Sequence, residues 1–80
     1  MGVAVGMMVT ARKVADGADR VVYEFGLDRR FDRVLVIDKA TWSASAEDDN
    51  FDSAAGMIAA KIKRAWQEQG EFPPGAVFAS

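Results

Sequence analysis

"DRVVYEF" at residues 19–25 returns as "DRVLVID" at residues 32–38, the same Asp-Arg-Val opening leading into an apolar run. Short runs rich in Val, Ile and aromatic residues, bounded by Gly and Asp, are strand signals. Only residues 26–31 separate the two, whereas a parallel pair needs a crossover of a dozen or more residues. The strands are therefore antiparallel neighbours. Arg20 and Arg33 fall toward opposite ends of the hairpin, ~13 Å apart along the strand direction, so the echo marks two strand starts and not a compact arginine site.

Upstream, residues 3–14 ("VAVGMMVTARKV") alternate apolar with smaller or polar residues from Met7 onward, which is strand period. Asp16-Gly17 is the dipeptide of a tight hairpin, where a positive φ is needed. Downstream, the third strand is expected to run irregularly to about residue 42, and "SASAEDDN" then supplies small and acidic residues suited to a helix entrance. From Phe51 to about Gln69 the period becomes helical. Ala54, Ala65, Ile58, Phe51, Ile62, Ala55, Trp66 and Ala59 share one arc, and Lys61, Lys63, Arg64, Gln67 and Glu68 lie opposite. Gly70 stands where a helix C′ glycine belongs, and Pro73-Pro74 forbids continuation.

The expected fold is α+β, a β-β-β-α order over one small domain, residues 1–80. A three-stranded antiparallel meander (about 3–14, 19–26 and 32–42) packs on one helix (about 51–69), followed by an irregular tail, 70–80. A turn centred on Asp28-Arg29 sets Tyr23 opposite Val34, Val21 opposite Val36, and Glu24 opposite Arg33 as a cross-strand ion pair. In the first hairpin a three-residue loop, Asp16 to Ala18, sets Ala11 opposite Tyr23 and Val9 opposite Phe25. A two-residue loop would instead put Thr10 and Arg12 beside the aromatics.

One sheet face then carries Met7, Val9, Ala11, Val21, Tyr23, Phe25, Val34 and Val36 beneath the helix. The other carries Val14, Val22, Leu35 and Ile37 among Thr10, Arg12, Arg20, Glu24 and Arg33. A single helix covers one face only, so the second needs the tail, with Phe72, Val77 and Phe78, or a partner. The first strand, on a sheet edge, is a further place for another chain to pair. These patterns predict a small non-catalytic protein-interaction domain, binding itself or a protein partner. Leu35 and Ile37 form the apolar centre of the expected interface, with Val22 among the apolar residues to be sheltered and Arg12, Arg20 and Arg33 as the rim.

Composition narrows the alternatives. Half of the residues are hydrophobic and 28% are charged, the balance of a folded globular chain. There is no Cys and no His, which removes disulfides, most zinc chemistry and the common catalytic bases and nucleophiles. No cofactor is expected. The apolar start, "MGVAVGMMVTA", has no preceding Lys or Arg and is far below the ~20 residues that span a bilayer, so a cytoplasmic location without membrane contact is the default expectation.

Candidate chemical sites each have a simpler reading. "EDDNFD" places Asp48, Asn50 and Asp52 at calcium-loop spacing, yet Ser53 stands where that loop requires Gly and Ala59 where it requires a bidentate Glu. Asp49 completes the acidic cluster, whose ordinary use is helix capping. Asp38 and Lys39 are adjacent on a strand and point to opposite faces. The glycines are scattered, and no Ser lies in a nucleophile-elbow frame. "DRRF" at 28–31 and "KIKRAW" at 61–66 mix cations with rings. In element order, three strands followed by a helix resembles the plant AP2-type and integrase amino-terminal domains, which lay their sheet in the major groove. That resemblance implies sheet-mediated nucleic-acid binding through Arg12, Arg20 and Arg33 as the alternative. The net charge of −2 opposes it, because phosphate recognition rests on a basic excess.

Overall fold

The computed structural model describes residues 8–79. The three central strands are β1 (Met8–Asp16), β2 (Arg20–Leu27) and β3 (Arg33–Asp38). Two more complete the sheet: β4 (Ser43–Ala46), and β5 (Gly75–Ala79), which follows the helix α1 (Ser53–Gln69). All pairings are antiparallel, in the order β4-β3-β2-β1-β5. Among the described residues the α+β class, the antiparallel sheet and the single helix are as expected, whereas the sheet has five strands and not three. The expected strand residues 3–7, with Met7 of the expected core face, lie outside the described residues.

The tail is the first correction. It does not fold over the second sheet face; it joins the sheet edge beside β1, which is thereby an interior strand. Three hydrogen bonds bring it there. The Tyr23 hydroxyl donates to the Pro73 carbonyl at 2.7 Å, Lys13 Nζ to the Phe72 carbonyl at 3.2 Å, and the Lys13 amide to the Pro74 carbonyl at 2.8 Å. Pro74 has no N–H to give back, so it opens the ladder without leaving a donor stranded.

The second correction is the register of β2 on β3. Tyr23 lies opposite Leu35, Val21 opposite Ile37 and Phe25 opposite Arg33, one residue away from the expected pairing. The pairing is centred on Arg29 and not between Asp28 and Arg29, because Asp28, Arg29 and Phe31 all take positive φ (58°, 65° and 52°) and the connection holds an odd number of residues. A slip of one turns every side chain of β3 over. Leu35 and Ile37 are completely buried beneath α1, and Val34 and Val36 look outward.

The first hairpin reaches the expected faces by another route. Its turn is the tight one, Ala18-Asp19, with the Gly17 amide bonded to the Arg20 carbonyl at 2.9 Å. No residue of it has positive φ. A bulge between Lys13 and Ala15 then shifts the pairing by one, so that Ala11 meets Phe25 and Val9 meets Leu27. The extra residue restores the parity that a two-residue turn alone would have lost.

The core therefore comprises Val9, Ala11, Val21, Tyr23, Phe25, Leu35 and Ile37 of the sheet against Ala55, Ile58, Ala59 and Ile62 of α1, with Phe72 at one end. Trp42, from the β3–β4 turn, stands 6.0 Å from both Trp66 and Phe72 by ring centroid and closes that end. The helix begins at Asp52, whose carboxylate accepts from the Ala55 amide, and ends at Gly70 with φ 80° and a 2.8 Å bond from its amide to the Trp66 carbonyl. Phe51, placed in the helical arc by period alone, precedes the cap and is 48% exposed.

The register has a direct test. Leu35→Ala should cost about 2–5 kcal/mol, as cavity-forming truncations in cores do, while Val36→Ala should cost well under half of that; equal costs in chemical denaturation would mean that the register is wrong.

Candidate functional site

The six residues expected to form one interface are divided between the two sides of the sheet. Arg12, Arg20 and Val22 lie on the outer face, away from α1, while Arg33, Leu35 and Ile37 lie on the helix side. Leu35 and Ile37 belong to the core and cannot dock anything.

Arg33 does not pair with Glu24. It leans over the Phe25 ring, 4.7 Å from its centroid, and reaches the start of α1. There it donates to Asp48 at 2.9 Å, to both oxygens of Asp52 at 3.0 and 3.1 Å, and to the Asn50 carbonyl at 2.6 Å. This guanidinium fastens the β4–α1 connection to the sheet. It also accounts for the two carboxylates that sequence spacing offered as calcium ligands. The Asp48 carboxyl is held below its ordinary range first by Arg33 and then by the Asn50 amide; that of Asp52 is lowered first by the Ala55 amide and then by Arg33.

The outer face is less apolar than expected. Its half-buried centre is Val22, Val34 and Val36, three β-branched residues that suit any half-exposed sheet. One end is covered by the β2–β3 loop, which curls back over it. The Arg29 amide donates to Thr10 Oγ1 at 3.0 Å, and the Phe31 ring lies under the Arg12 guanidinium at 4.3 Å. Gly26 permits this, since a Cβ there would come within 2.7 Å of Asp32 Oδ1 and 3.1 Å of the Phe31 amide nitrogen. Arg12 is also bound to Glu24 at 2.8 Å. Arg20 stands alone of the three expected nucleic-acid readers in having neither an ion pair nor an aromatic partner among the described residues.

Other polar groups serve the fold in the same way. Asp16 holds Lys39 at 2.6 Å and Lys13 at 3.1 Å, and those two cations depress its carboxyl, Lys39 first. The Tyr23 phenol is pushed well above its ordinary value, by burial first and the Asp16 charge second, so it remains the proton donor that Pro73 needs.

Among the described residues, the feature with unspent binding capacity is the edge of β5, which no other strand pairs. The Lys13–Pro74 bond fixes which residues of that strand face β1, because carbonyl and amide groups alternate sides along an antiparallel strand. Ala76 and Phe78 bond inward to β1. The N–H and C=O groups of Gly75, Val77 and Ala79 point outward, and these three residues are all exposed. The opposite edge is blunter. β4 is four residues long, and the Ala46 carbonyl already accepts from the Asp49 amide at 3.0 Å.

Beside the β5 edge, on the helix side, lies an open groove of about 750 Å³ between α1 and Phe78. Met57, Ala60 and Ala65 give it an apolar floor, and Lys61, Arg64 and Glu68 border it. An exposed strand edge running along a helix-walled groove is the geometry that accepts an added strand, backbone bonds giving affinity and alternate side chains giving specificity. Sequence reasoning placed the open edge at the first strand and read this segment as irregular. The available signal was "AVFA" directly after Pro73-Pro74, a short run of alternating size behind a helix stop.

Comparison with known protein families, with curated proteins and with solved structures finds no match to this chain. Among the described residues, no helix is long and apolar enough to cross a membrane.

The Arg33 clamp predicts an acid-sensitive helix start. Asp48 and Asp52 have lowered values in the folded state, so their contribution is present above the usual carboxylate value of ~3.9 and is lost as pH falls below it. The melting temperature should drop between about pH 5 and pH 2, and Arg33→Met should lower it at pH 7 and flatten that drop. A slope unchanged by the substitution would remove the clamp from the account. The cap bond to the Ala55 amide survives in the variant, so some slope remains.

Proposed function

We propose that this chain is a small non-catalytic protein-interaction domain that takes up an extended strand along the free edge of β5. The observation that carries the reading is the outward row of backbone groups at Gly75, Val77 and Ala79 beside the α1 groove. Native sheets blunt such edges with charges, prolines, bulges or covering loops; Gly75–Ala79 holds no charge, proline or bulge, and no loop among the described residues covers it. An uncharged edge left open is a surface for pairing.

The absence of catalysis in this reading is supported by how the polar groups are used. The carboxylates of Asp16, Asp48 and Asp52 are bound to cations and lowered, which makes them poor bases near neutrality. Tyr23, the single tyrosine, is buried and committed to Pro73. Nucleic-acid binding has less support, because Arg33 is engaged on the helix side and Arg12 is shared between Glu24 and Phe31. The outer face around Val22 and Arg20 is a secondary contact surface, on the same side of the sheet as the exposed Val77 and separated from it by the β2–β3 loop over Thr10 and Arg12.

Amide hydrogen exchange on the dilute protein tests the edge. Ala76 and Phe78 should exchange slowly and Val77 and Ala79 fast. Peptides selected from a random library for binding should slow Val77 and Ala79, and Val77→Pro should abolish that binding. Edge amides already slow in the dilute protein, or selected peptides that leave them fast, would overturn the reading.

A further inference from the structure

We infer that the strand accepted by β5 is the β5 of a second copy, added antiparallel about a two-fold axis through Val77. The inference rests on the docking-edge reading and names its occupant. The outward residues Gly75, Val77 and Ala79 are spaced symmetrically about Val77, so the edge is complementary to itself. In that register Val77 of one copy faces Val77 of the other, and Gly75 faces Ala79. Each of these is a hydrogen-bonded pair that exchanges both N–H···O bonds.

The side chains agree with the same register. Ala76 and Phe78 lie on the helix side of β5, and the pairing sets Phe78 of each copy opposite Ala76 of the other, in the non-hydrogen-bonded positions where side chains approach most closely. A large ring against a methyl group fits where two rings would collide. Phe78 already lines the groove beside α1, so the seam continues into it. On the outer face the two Val77 side chains, each 50% exposed in the single copy, shelter one another.

The edge itself carries no charge. Gly75–Ala79 contains no ionisable side chain, and on the neighbouring helix wall Arg64 is paired with Glu68 at 3.2 Å, which leaves Lys61 as the cation the second copy must accommodate. Size gives the motive, since a chain of 80 residues buries only about 60–65% of the surface its unfolded form exposes, less than larger domains do, and small domains gain stability by pairing. A foreign peptide is the competing occupant. It would need no symmetry about Val77, and that difference decides the experiment.

Molar mass by light scattering, with hydrogen exchange on the same samples from ~1 µM to ~1 mM, tests the proposal; a seam of this kind is expected to dissociate in the range of roughly 10–100 µM. The mass should rise from 8.7 kDa toward twice that value, with Val77 and Ala79 slowing in step. Val77→Pro removes only an outward N–H and should leave a folded monomer. Val77→Glu and Val77→Lys, at the same exposed position, should each be monomeric alone and associate when mixed, because the axis places the substituted position opposite itself. A mass fixed at 8.7 kDa with edge amides fast throughout would overturn the second copy and leave the docking edge intact. A mass fixed at 8.7 kDa with those amides slow even at ~1 µM would overturn both. A dimer that survives Val77→Pro, or that forms from the Glu variant alone, would place the contact elsewhere and overturn the proposal.

Discussion

The pairing of Tyr23 with Leu35 is the constraint on which the rest of the molecule depends. It sets the parity of β3, and parity decides which of two alternating sets of side chains meets α1. With this parity, Leu35 and Ile37 join Ile58 and Ile62 in the buried core, and the smaller valines at 34 and 36 are left outside. Burial of the larger pair is the better use of a thin core, by about 0.8 kcal/mol for each extra buried methylene. The same parity turns Arg33 to the helix side, where Asp48, Asp52 and the Asn50 carbonyl receive it. A register chosen by packing thereby fixes the start of the helix.

What holds the register is the loop between β2 and β3. Three residues other than glycine accept left-handed backbone there, at a local energetic cost offset by what the loop touches. It covers Thr10, seats Phe31 under Arg12 and lies directly on Gly26. Several charges on this protein act as fasteners between elements. Arg12, Arg33, Lys13 and Lys39 each bridge elements distant in sequence.

The docking edge is a consequence of the same core. Tyr23 is buried because its strand is central, and its hydroxyl then needs an acceptor, which Pro73 supplies. Together with Lys13 it delivers the chain after the helix to the side of β1. Once β5 is added there, β1 is interior and the open edge moves outward by one strand. The groove lies where the Met57–Ala65 flank of the helix meets Phe78 of β5.

By itself the sequence determined the class of fold, the helix with an acidic entrance and its Gly70 end, the antiparallel relation of the two Asp-Arg-Val strands and the core membership of Val9, Ala11, Val21, Tyr23 and Phe25. These rest on period, caps and connection length, which are local properties of the chain. Tertiary structure alone decided the side of the sheet that Leu35, Ile37 and Arg33 occupy, the paired use of Asp48 and Asp52, and the conversion of the tail into β5. In "RVLVI" every position is apolar or long enough to reach either side, so alternation carries no preference and the loop and the helix must choose. "GAVFA" is too short to declare itself as a strand, and it becomes one because a buried hydroxyl and a lysine on distant strands hold the residues just before it.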